Sequence, residues 1–222
     1  MSEKTLMAQA LEDITQYLGR KDGELLFNER DLQMHLAVYL ISTGHYDDVD
    51  VEYYVPFKEL DNYLWKNELK LDILVRKESE YLPIELKYKT KKQSKRLLRF
   101  NEQLNDAVDV LKNQGAQDLG MYNFWKDVRR LELVRDRFDA VKNGLAVFVT
   151  NDKQYISPSR ESSNNRQFSM EEGRHGKAKY WQQPESTCAK THPDFDLEHE
   201  YTIHWNTNIY ESVEFHYCIV TI

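Results

Sequence analysis

The stretch Leu69–Lys89, LKLDILVRKESEYLPIELKYK, decides how the chain is read. Two apolar-alternating runs, 69–77 and 81–89, flank the short polar turn ESE, a pattern that predicts a β-hairpin. Residues two apart share a face of a strand. On the second run Leu82, Ile84, Leu86 and Tyr88 face one way, and Glu85, Lys87 and Lys89 face the other. On the first, Leu71, Ile73 and Val75 share a face, leaving Asp72 opposite with Lys70 and Leu74. If the faces of Asp72 and Glu85 meet, two carboxylates and an ammonium converge in mid-sheet. Buried carboxylates without counter-charge are costly and raise each other's pKa. A divalent cation removes that cost, and Mg²⁺ takes one or two carboxylates plus water and phosphate oxygens. The lysine then has a role in holding an attacking water and stabilising developing charge.

Working outward, residues 3–19 read as a helix with Leu6, Ala10, Ile14 and Leu18 on one side. A second helix is predicted over 28–44, with Asn28 as N-cap, Asp31 three residues on and Gly44 as the stop. Its first residue after the cap, Glu29, lies on the side of Leu32 and Gln33 and offers a third acid. Residues 49–57 read as a strand preceding the hairpin. Beyond the hairpin, 91–115 reads as mostly helical, stopped at Gly115, and 122–144 as another helix closed by Asn143-Gly144. Residues 145–152 read as a buried strand. The polar span 152–179 reads as a long excursion with a strand near Phe168, of the kind that carries function. Strands are expected in the tail, at 201–206 and 213–222.

Length and composition fit one domain, 1–222, with a proper core: 41% apolar and 12% aromatic residues in 222. No apolar run approaches the ~18 residues of a membrane span, and the N-terminus lacks the order of a signal peptide. The expectation is a cytoplasmic protein with no membrane partner and two reduced cysteines, Cys188 and Cys218. Net charge is −7, yet Lys87, Lys89, Lys91, Lys92, Lys95, Arg96 and Arg99 run without an intervening acid. Such a local basic stripe on an acidic protein points to a polyanion track.

Asp72, twelve residues, then Glu85-Leu86-Lys87 resembles the signature of the PD-(D/E)XK nuclease superfamily. The element order is similar as well: an acid-bearing helix, three strands with the acids on the second and third, a helix, then a further strand. The resemblance covers residues 28–150, with 151–222 as a loop and C-terminal strand extension. It implies a restriction-endonuclease-like α/β fold with a central mixed sheet flanked by helices. It implies a metal-dependent nuclease, acting on DNA before RNA, with a defence or repair role. Asp72, Glu85 and the Leu86 carbonyl would hold Mg²⁺ or Mn²⁺, Lys87 would position or activate the water, and Glu29 would be the helix acid. Lys89, Lys91, Lys92, Lys95, Arg96 and Arg99 would hold the nucleic acid. Leu71 stands where the superfamily usually has proline, and Gln103 has Ala107 four residues on, so the exonuclease branch's glutamine–tyrosine pair is not matched.

Other constellations rank lower. Cys188, His192, His199 and His204 have no zinc-finger spacing. Trp125, Trp181, Trp205 and Tyr180 read as core or as base-stacking platforms. Lys126, Arg129, Arg130, Arg135 and Arg137, interrupted by Asp127, Glu132 and Asp136, read as a salt-bridged helix surface. A second class of function also fits: a catalytically inactive module of the same fold that binds nucleic acid or protein. A homodimer is expected only on symmetry grounds, for an enzyme cutting both strands of a duplex.

Overall fold

The computed structural model describes residues 4–21 and 23–222. Counting from the N-terminus, its main strands are β1 (Asp48–Val55), β2 (Leu69–Lys77), β3 (Glu80–Lys89), β4 (Leu145–Thr150), β5 (Asn206–Tyr210) and β6 (Val213–Thr221). They form one sheet in the order β1-β2-β3-β4-β6-β5. Only β3 and β4 run parallel; every other neighbouring pair is antiparallel. The hairpin expected at 69–89 is present, with Ile73 opposite Ile84 and Val75 opposite Leu82.

Three helices cover the sheet: α1 (Leu6–Gly19), α2 (Glu29–Thr43) and α3 (Gln117–Arg137). α1 and α2 pack Leu6, Ile14, Leu18, Leu32, Leu36 and Leu40 onto Ile73, Val75, Ile84 and Leu86. α2 starts as its sequence demands. The Asn28 side chain accepts from Asp31 N at 3.0 Å, and Asp31 accepts from Phe27 N at 3.1 Å. These two bonds satisfy otherwise orphaned N–H groups and fix the first turn, and so the position of Glu29. Gly44 closes the helix at φ 68, a left-handed value that glycine adopts without strain.

α3 is the crossover between parallel β3 and β4 and lies on the other face, where Phe124, Trp125, Val128 and Leu131 pack with Leu71, Leu74 and Phe148. The helix expected over 122–144 is present and starts earlier, at Gln117. Residues 91–114, expected to be helical, form short strands instead: Gln93–Lys95 pairs with Val108–Leu111, and Leu98–Arg99 with Glu102–Gln103. The segment buries only Val110 and Leu111 among its apolar residues, too little for a helical face. Asp109 instead ties the first pair together through Ser94 (2.6 Å) and Lys92 (2.8 Å). α3 also ends at Arg137, not at Asn143. The chain turns at Phe138, and Tyr81 N donates to Ala140 O at 2.9 Å, drawing the exit toward β3.

The span 152–205 is a packed layer over α3. Tyr155, Phe168, Met170, Trp181, Phe195 and Ile203 are buried in the α3 cluster. Residues Arg166–Phe168 form a 3₁₀ turn where a strand was expected. Trp125 and Trp181 are buried, and Trp205 packs partly buried against the same cluster, so these rings serve the core and not base stacking. The C-terminal hairpin β5–β6 extends the main sheet. Among the described residues no helix is long and apolar enough to cross a membrane.

Gly120 shows how closely this layer fits. A Cβ placed there would lie 2.2 Å from the buried Tyr155 hydroxyl. In an exposed helix interior Gly→Ala stabilises by about 1 kcal/mol. Here the overlap reverses the sign, and we expect Gly120→Ala to destabilise by about 1–3 kcal/mol in urea unfolding. A gain in stability would show that the layer over α3 yields easily.

Candidate active site

β2 and β3 pair as far as Ile73 and Ile84, and the ladder is not continued at Asp72 and Glu85. Where it stops, the Asp72 carboxylate takes over and accepts from Leu86 N at 2.6 Å. The β1–β2 ladder is broken at the same level. Glu52, opposite Asp72, adopts φ 54, and the two are missing from an otherwise regular register. As a result Leu71 packs on the α3 side while Ile73 and Val75 pack on the α1–α2 side. The expectation that these three share a face fails, because the alternation resets at Asp72.

Asp72, Glu85, Lys87 and Glu29 are brought together here. Glu29 Oε2 accepts from Tyr88 N at 2.9 Å, joining the start of α2 to the end of β3. Gln33, one turn on, donates to Asp72 O at 2.7 Å and to Glu52 Oε1 at 3.0 Å, so α2 also holds the kink. Lys87 Nζ donates to Leu86 O at 2.9 Å and lies 2.6 Å from Asp127 Oδ2. Asp127 Oδ1 accepts from Arg130 at 3.3 Å, and Arg130 also reaches Asn67 Oδ1 at 3.2 Å.

Both cations of the centre therefore spend contacts on Asp127. Glu85, 3% exposed, is left with Oε1 buried and without a hydrogen-bond partner. Burial, followed by the charges of Asp127 and Asp72, raises the Glu85 pKa well above the usual carboxylate range. Burial likewise pushes Asp72 up to about 6, against the opposing pull of Lys87 and the Leu86 N–H. Burial works against the Lys87 charge, but Asp127, Glu29, Glu85 and Asp72 outweigh it and raise its pKa. The neighbouring Lys126 is lowered to about 8 by burial and by Arg130.

An orphaned carboxylate oxygen beside a second under-compensated acid fits a hard divalent cation. Asp72 and Glu85 are the residues that would hold it. Among the described residues no group of three His, Cys, Asp or Glu side chains is arranged as a ready metal cage, so a protein-only shell is not provided. The Leu86 carbonyl is engaged by Lys87. His204 bonds Glu172 at 2.8 Å, and His192 meets Thr191 Oγ1 at 2.8 Å.

Beside the centre lies a cleft of about 460 Å³ lined by Glu29, Gln33, Glu52, Asp72, Lys89 and Gln114, among others; Glu85 and Lys87 are not part of its lining. The rest of the basic run lies on the short strands after β3, not on a helix. Lys91 pairs with Asp152 (3.0 Å), Lys92 with Asp109 (2.8 Å) and Lys95 with Glu211. Lys89, Arg96 and Arg99 make no salt bridge among the described residues, although the Arg99 charge acts on Glu211.

Asp127 and Arg130, read as part of a salt-bridged helix surface, do pair with each other, but both are buried and Asp127 also pairs with Lys87. Arg129, Arg135 and Arg137 do form such a surface, pairing with Glu132, Glu198, Asp136 and Glu59. The signal for Asp127 was its place in the arc of Phe124, Val128 and Leu131, the buried face of α3. The chain shows no match to known protein families, to curated proteins or to solved structures.

Proposed function

We propose that this cleft hydrolyses phosphodiester bonds of nucleic acid, DNA before RNA, with a restriction-endonuclease-like core. The observation that carries the reading is the convergence of Asp72, Glu85 and Lys87 where β2 and β3 stop pairing, with one Glu85 oxygen lacking any partner. The order of elements adds support: an acid-bearing α2, antiparallel β1–β3, the crossover α3, then β4 parallel to β3.

On this reading Asp72 and Glu85 would hold Mg²⁺ or Mn²⁺, joined by the Leu86 carbonyl through the lone pair that Lys87 leaves open. Such an ion would supply Lewis-acid activation of the phosphoryl group and of a water. Lys87 is fixed by Asp127 and Leu86 O, next to the acids, where its ammonium orients the water and meets charge developing on the phosphate. Glu29 and Gln33 hold the strand ends that carry these groups. Lys89 lines the cleft and offers a phosphate contact there.

The test is incubation with duplex DNA, single-stranded DNA and RNA at low salt, with Mg²⁺ or Mn²⁺ and with chelator. We expect metal-dependent cleavage that disappears in Glu85→Ala and Lys87→Ala, and Mg²⁺ binding by calorimetry that disappears in Glu85→Ala. No metal binding by the wild-type protein would refute the catalytic reading and favour a non-catalytic binding module.

A further inference from the structure

The basic segment after β3 carries a feature that neither core packing nor the chemistry above explains. Leu98–Arg99 and Glu102–Gln103 form a small antiparallel hairpin with Phe100-Asn101 as its two-residue turn. Both turn residues have positive φ, 51 for Phe100 and 65 for Asn101. Tight hairpin turns of this kind favour Asn and Gly at these positions. Asn101 complies, whereas a bulky aromatic at positive φ is a strained choice. Phe100 gains nothing from the fold in return, for it is 98% exposed, and Leu98 beside it is 59% exposed.

A strained, wholly exposed ring at a hairpin apex is a feature to be explained by what it meets. Its flanks state the charge of the partner. Arg96 and Arg99 make no salt bridge among the described residues, although the Arg99 charge acts on Glu211, and Lys89, at the root of the segment, lines the cleft beside Asp72. Arg99 stacks its guanidinium 5.4 Å from the Phe27 ring and donates to Leu98 O at 2.8 Å, which sets it along the hairpin. The cations stand on one side of the tip, for the return strand carries Glu102 opposite Arg99; an exposed ring beside cations is the chemistry of a side chain that meets a base while its neighbours hold phosphates.

We propose that the 98–103 hairpin is a wedge whose Phe100 ring stacks on the face of a nucleobase in the strand led to the cleft by Arg96, Arg99 and Lys89. This rests on the nucleic-acid reading of the cleft but not on cleavage itself. The base face is presented either at a duplex step that the ring opens or by a single strand on which it stacks. A lipid bilayer would also accept an apolar tip beside cations. Continuity of the segment with β3 and the cleft favours nucleic acid.

The experiment uses the whole protein without divalent metal, at low salt. A fluorescein-labelled 20-base-pair duplex and its single strand are titrated by anisotropy, and the same oligonucleotides carry 2-aminopurine at successive positions. Vesicles of phosphatidylcholine and phosphatidylserine form the third arm. Phe100→Ala is expected to weaken oligonucleotide binding roughly ten-fold and to abolish the 2-aminopurine change, while Phe100→Trp retains both. The melting temperature of Phe100→Ala should match wild type, since the ring is not buried. Signal on the duplex identifies an opened step, and signal on the single strand alone identifies stacking. Equal binding by Phe100→Ala, or Phe100-dependent binding to vesicles only, overturns the proposal. If binding depends on Phe100 but no substrate is cut, the chemistry fails and the wedge stands. If Phe100→Ala binds and cuts as wild type does, the reverse holds.

Discussion

Asp127→Ala will cost the fold about 3–5 kcal/mol, the range expected when one partner of a buried ion pair is removed. Asp127 is 2% exposed and carries the counter-charge for two cations, Lys87 at 2.6 Å and Arg130 at 3.3 Å. Arg130 is itself 7% exposed, with its Nε buried and unpartnered, so it has no ready substitute. One effect works the other way. Asp127 raises the pKa of Glu85 and of Asp72, so its removal relieves repulsion and frees Lys87 to turn to Glu85. That relief places the expected loss toward 3 kcal/mol. For a protein of this size it amounts to a fall in melting temperature of roughly 6–12 °C. Urea unfolding of Asp127→Ala, of Lys87→Met and of the double variant separates the terms. The double variant should lose less than the sum of the two single losses, because the second change removes a charge that the first had orphaned. Additive losses would mean that Lys87 and Asp127 are not coupled.

The same pair shows what local pattern can and cannot reveal. Asp72, Glu85 and Lys87 are legible in sequence because hairpin alternation and turn chemistry fix which side chains share a face over a few residues. α2 is legible for the same reason: Asn28, Asp31 and Gly44 mark its ends by local hydrogen bonding and backbone freedom. The partner of Lys87 is not legible, since Asp127 lies forty residues away on a helix where charges alternate in sign and offer several nearer partners. The kink at Asp72 is equally hidden. Nothing about Glu52 announces a positive φ, yet that residue resets the alternation and places Leu71 and Ile73 on opposite sides. The failure at 91–114 has another cause. Residues 97–111 space their apolar groups as either a helix or short strands would, and only the shortage of buried surface decides. The polar span 152–179 read as a long excursion because it holds only two aromatic residues, Tyr155 and Phe168. In three dimensions Phe168, Trp181 and Phe195 gather around Tyr122 of α3.

The second large effect concerns the two acids, whose substitution should act on activity and stability in opposite directions. Glu85→Gln is expected to reduce metal-dependent cleavage about 10³-fold or more, since loss of a metal ligand forfeits several kcal/mol of transition-state stabilisation. The same change should raise the melting temperature in metal-free buffer, because a neutral amide avoids the ionisation that burial opposes. Asp72→Asn gives the pH signature. The Asp72 pKa is about 6 in the fold against an ordinary 3.8, so the native state holds its proton more tightly than the unfolded chain does. Its contribution to stability is therefore fullest below pH 4 and is lost as pH rises through 6. At pH 7 the ionised Asp72 costs on the order of 2–3 kcal/mol. The asparagine variant would not carry that cost, while its side-chain oxygen would still accept from Leu86 N. Measured from pH 8 down to pH 4 in chelator, the advantage of Asp72→Asn over wild type should shrink and vanish. Adding Mg²⁺ at pH 7 should then stabilise wild type by mass action and leave both variants unmoved. On the proposed reading a bound cation offsets that cost to the fold. If the melting difference did not vary with pH and Mg²⁺ stabilised nothing, these acids would be an ordinary polar seam between β2 and β3.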